Sequence, residues 1–141
     1  MPLLLIIMLF SCLNNDETSL AKEALDQHDL SKAEQLYRLA VQKSPKNTEA
    51  LSGLGWTYHL ALEREASAQS FDRCLQIEPE NGECLRGRAS VALAEGDVVK
   101  AKSLLSMAQM KYPDDPQISS TAALLDLSDC LLYTSPSPRD S

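Results

Sequence analysis

The side chains of this chain best equipped for chemistry are four cysteines, two histidines and one tryptophan. Their spacing supports little of it. His28 falls in a polar stretch between two apolar-periodic ones, where a solvated turn residue is the plain reading. His59 follows Tyr58 in a helical stretch, and pairing it with Cys74 or Cys84 as base and nucleophile has no spacing motif behind it. Neither CxxC nor HExxH occurs, so no metal-ligand set is expected. The five glycines form no phosphate-cradling loop. The acidic turns EPENGE (78–83) and PDDP (113–116) lack the regular oxygen spacing of a calcium loop. The expectation is therefore no catalytic residue, no metal and no cofactor, which leaves binding through a surface.

The elements that would build such a surface repeat. Pro45, Pro79 and Pro113 stand 34 residues apart, a period characteristic of helix–turn–helix arrays. Stacking the chain at that period aligns Ala33, Ser67 and Ala101, then Tyr37, Phe71 and Leu105, then Ala40, Cys74 and Ala108. Small, large and small residues four and three apart share one helix face, and each proline then ends the second helix of its unit. The first helices align Leu20, Leu54 and Arg88, then Ala21, Gly55 and Ala89, then Ala24, Tyr58 and Ala92. After Asp115, Pro116 opens a further helix with Ile118, Ala122 and Leu125 on one face. With 141 residues, 44% of them hydrophobic and 5% aromatic, the chain suits one domain with an aliphatic core. Its net charge of −7 argues against nucleic acid, which basic surfaces bind.

These columns resemble the tetratricopeptide repeat, with Leu54-Gly55-x-x-Tyr58, Phe71 and Pro79 as the clearest instance. The resemblance implies an all-α solenoid of three repeats over 14–47, 48–81 and 82–115. The segment 116–129 follows as a capping helix or the start of a fourth repeat. Asp126, where the family carries a large residue, favours the cap. Arg88 replaces a usual Leu and Leu62 replaces the Gly of the intra-repeat turn, whereas Gly96-Asp97 keeps that turn. The family's first helices line a concave groove that holds peptides. The residues this places there are Lys22, Ser52, Trp56, His59, Leu60, Arg86, Ser90 and Leu93. Trp56 is either an anchor for a partner or a packing residue. Lys22 and Arg86 match part of the carboxylate clamp of chaperone-binding relatives, but its asparagines are absent, so that clamp is not expected. Cys74 and Cys84 end one helix and begin its neighbour, at positions that favour small residues. They form either a disulfide or two unpaired core residues.

Both ends differ from the array. An apolar run, Leu3 to Phe10, is too short to span a bilayer and suits a secretion leader. With Leu9, Ser11 and Cys12 it resembles the lipobox of bacterial lipoproteins, although Phe10 is bulkier than usual there. The resemblance implies a signal peptide over 1–11, acylation of Cys12 and, with Leu13 rather than Asp following, an outer-membrane preference. An ordinary leader or an uncleaved anchor are the alternatives. At the other end CLLYTSPSPRDS loses the helical period. Cys130 to Asp140 resemble the translation of a sequencing-library adaptor, which makes 130–141 a non-native tail. The functional expectation is a non-catalytic, lipid-anchored scaffold of the bacterial cell envelope, facing the periplasm and binding a protein or peptide segment. The alternative is the N-terminal repeat region of a longer protein with a catalytic domain downstream.

Overall fold

The computed structural model describes residues 16–133; residues 1–15, which carry the expected leader and Cys12, and residues 134–141 lie outside the described residues. Among these residues seven helices follow one another: α1 (Glu17–Asp26), α2 (Leu30–Lys43), α3 (Thr48–Leu60), α4 (Arg64–Ile77), α5 (Gly82–Glu95), α6 (Val98–Lys111) and α7 (Pro116–Tyr133). No strand occurs among the described residues. Side-chain caps set most helix starts, because the first turn leaves backbone N–H groups without intrahelical acceptors. Asp16, Asp29, Asn47, Asn81 and Asp97 each accept one such N–H. Asp115 accepts two, from Gln117 and Ile118 at the start of α7. Glu63 stands in the 34-residue column of Asp29 and Asp97 but makes no side-chain cap.

Each odd helix pairs with the even helix after it, and the pairs stack in chain order. The odd helices also touch one another from pair to pair, whereas α2, α4 and α6 do not. The array is therefore a two-layer solenoid that closes on its odd side and opens on its even side.

Aromatic rings on glycines set the stacking. The ring of Tyr37 lies where a Cβ on Gly53 would sit, 2.2 Å from the nearest ring carbon, and Phe71 covers Gly87 in the same way at 2.3 Å. Both pairs are 34 residues apart, so one large residue of each second helix docks on a glycine of the next unit. At the third junction the same columns hold Leu105 and Thr121, both buried. Thr121, Ile118 and Leu125 occupy the columns of Gly87, Cys84 and Val91, and all are buried, so α7 docks with the face α5 uses.

Arg88, a departure from the repeat pattern, and the two core cysteines find partners. Arg88 is buried, with its Nε donating to Asp72 at 3.0 Å and its Nη1 3.5 Å from Glu95. Cys74 and Cys84, both fully buried, are joined by a disulfide with their Cα atoms 6.3 Å apart. One expectation needs correction: the helix does not stop near Asp129 but runs through Tyr133. Residues 130–133 (CLLY) contain no helix breaker, and the Lys102–Asp129 ion pair ties this end of α7 to α6.

Candidate peptide-binding groove

The odd-numbered layer carries the expected groove residues, and it treats them unequally. Trp56 on α3 is half-buried, with its ring edge-on to Phe71 at 5.3 Å and to His59 at 5.6 Å. The guanidinium of Arg86, from α5, lies 4.2 Å from the indole centroid, close enough for a cation–π contact. Arg86 also donates to Glu83 at 2.6 Å. Trp56 Nε1 and Arg86 Nε are buried without a hydrogen-bond partner among the described residues. Burial first, and the charge of Arg64 second, hold the His59 pKa below its usual 6.5, so the imidazole is neutral at pH 7. Trp56, His59 and Arg86 thus form one aromatic and cationic cluster across two repeats.

The remaining residues divide. Leu60 is exposed at the end of α3, and Lys22 is exposed on α1 without a hydrogen bond or ion pair among the described residues. Ser52 is buried, and its hydroxyl donates to the Glu49 carbonyl. Ser90 donates to the Arg86 carbonyl, which fixes the turn carrying that guanidinium. Leu93 is half-buried against the core of the third unit.

Two residues outside the expected set complete the layer. Leu124 follows Lys22, Trp56 and Ser90 in one 34-residue column, and Leu127 follows His59 and Leu93 in another. Both are on α7 and exposed, at 65% and 62%. The same period that aligned the first three units reaches them once α7 is read in register. The positions of α7 that match Leu51, Gly55 and Tyr58 are Ser119, Ala123 and Asp126, all exposed and small or polar. Its apolar surface therefore lies along the groove columns. Among the described residues no cluster of three or more His, Cys, Asp or Glu is placed to hold a metal, and no helix is long and apolar enough to cross a membrane.

Known proteins share this architecture. Residues 63–125 match the family model of the tetratricopeptide repeat. No curated protein sequence matches the chain. The tetratricopeptide domain of Arabidopsis OM64 is similar in structure, with a TM-score of 0.74 at 12% identity over 79% of this chain and 93% of that one. The second such domain of human RPAP3, solved with the HSP70 peptide SGPTIEEVD, gives 0.70 at 11% over 78% and 92%. The O-GlcNAc transferase of Thermobaculum terrenum gives 0.67 at 26% over 70% of this chain and 19% of that one. Residues 63–125 match the tetratricopeptide-repeat model, and residues 16–133 as a whole have the fold of tetratricopeptide-repeat domains.

Proposed function

We propose that this chain is a non-catalytic scaffold whose odd-numbered helices hold a segment of another protein. The observation that carries this reading is the half-open indole of Trp56 under the Arg86 guanidinium, with exposed Leu60 one turn on along α3 and exposed Leu124 and Leu127 in the matching columns of α7. Trp and Arg are the residue types that dominate interface energetics, and exposed leucines beside them extend the apolar contact. The cationic centre selects a segment with apolar side chains and a carboxylate. The RPAP3 domain, solved with an acidic peptide, supports the same mode of use.

The leader supports placement in the bacterial envelope, with Cys12 acylated and the array held close to the outer membrane. A buried disulfide suits such an oxidising compartment. The match within a much longer transferase supports a second reading, in which the array is the recognition part of a larger enzyme.

Because Trp56 packs on Phe71, its truncation would also loosen the fold, so the test rests on the exposed leucines. A photo-crosslinking residue at Leu60 or Leu124 should capture a discrete partner in living cells, and one at exposed Val99 on α6 should not. Capture at all three positions alike would refute the groove. In the same cells Cys12→Ala should abolish fatty-acid labelling, and labelling that persists would refute the anchor.

A further inference from the structure

The even-numbered layer holds a cleft that the groove does not use. Because α2 and α4 do not touch, a space of about 660 Å³ opens between them, floored by Leu54 and Tyr58 of α3. Arg38 and Gln42 line it from α2, and Gln69 and Arg73 from α4. No carboxylate lines it. Arg38 pairs along its own helix with Glu34, which also accepts from the Tyr58 hydroxyl. Arg73 has no hydrogen bond or ion pair among the described residues. In a chain with net charge −7, the unpaired guanidinium of Arg73 on this rim is a local reversal of sign.

The next junction along the array shows what fills such a place. One repeat on, Arg88 stands in the column of Leu54 and Asp72 in that of Arg38. There the buried guanidinium meets Asp72 at 3.0 Å, with Glu95 beside it, so a guanidinium–carboxylate pair closes the position from within. Between α2 and α4 the Glu34 carboxylate serves Arg38 and the Tyr58 hydroxyl, and Arg73 is left without one among the described residues.

We infer that the cleft between α2 and α4 is a second binding site, which takes a short extended segment of another protein bearing one carboxylate beside an apolar side chain. The carboxylate meets Arg73, with the Gln69 and Gln42 amides available to the peptide backbone, and the apolar side chain covers Leu54 and Tyr58. The wall from Arg38 to the end of α2 at Lys43 spans roughly 8 Å, enough for about two extended residues. A polyanion fits less well, since two arginines cannot offset the repulsion of an acidic protein. The site is on the opposite layer from Trp56, so it stands or falls independently of the proposed groove.

The test is an NMR titration of the ¹⁵N-labelled protein with the peptide acetyl-Ser-Leu-Glu-Leu-Ser-amide and its Gln counterpart. Saturable shifts at Tyr58, Gln69 and Arg73 are expected with the Glu peptide. Affinity should fall at least fivefold with the Gln peptide, and at least fivefold in the exposed variant Arg73→Gln. Equal binding of the two peptides, shifts confined to Trp56 and Leu124, or no saturable shift would each overturn the proposal.

Discussion

At positions 28, 62 and 96 the backbone turns through the left-handed region, with φ of 59°, 65° and 81°. The three residues are 34 apart, and they are His, Leu and Gly. An L side chain in this region crowds the following carbonyl at a cost of about 1–2 kcal/mol, partly offset because glycine loses more backbone entropy on folding. Leu62 is 80% exposed, so its side chain adds almost no packing in return. Leu62→Gly should therefore stabilise the protein by about 0.5–1 kcal/mol, seen as a higher urea midpoint with an unchanged slope. A lower midpoint would mean that Leu62 makes contacts in solution that the fold does not show. The substitution is legible in the sequence as a missing turn glycine. The partners of Arg88 are not, because Asp72 and Glu95 sit on separate helices and nothing in their spacing ties them to one guanidinium.

At the scale of elements, the columns of small and large residues are visible from periodicity, but their meeting point is not. Gly53 and Gly87 read along the sequence as weak spots inside helices, since glycine costs helix stability. In the fold they are the floors on which Tyr37 and Phe71 rest, each contributed by the unit before. Helix α5 hides its pairing for a related reason. It touches α3, α4, α6 and α7, so apolar and small residues cover most of its circumference and no single stripe stands out. The Gly87 contact yields a sharp expectation. Gly87→Ala would place a Cβ 2.3 Å from the Phe71 ring, and relieving that overlap should cost about 1–3 kcal/mol despite the better helix former. Phe71→Leu should rescue part of the loss, because the third junction already works with Leu105 opposite Thr121. A double-mutant cycle in urea measures the coupling, and additive effects would show that the ring does not press on this position.

Across the whole molecule, stability is a chain of local terms, since each unit packs only on its neighbours. At the junction between the second and third units a covalent link supplements packing, through Cys74 at the end of α4 and Cys84 at the start of α5. In the sequence the pair reads either as a bridge or as two small core residues, because a small side chain suits either position whether or not it is bridged. The columns supply a clean control. Ala40 and Ala108 match Cys74, and Ala50 matches Cys84, so alanine fits both sites without a clash or a large void. The bridge spans a sequence separation of 10, and closing a loop of that size should contribute roughly 2–3 kcal/mol on the chain-entropy model. Replacing both cysteines by alanine should lower stability by about that amount while the helical content stays the same. Reductant should move the unfolding midpoint of the parent protein to that of the double variant and leave the double variant where it was. Because the link joins two units, its loss should also broaden the transition, as the first two units and the remainder begin to unfold apart. If parent and double variant unfold together with and without reductant, the bridge does not form in solution, and packing alone holds this junction as it holds the others.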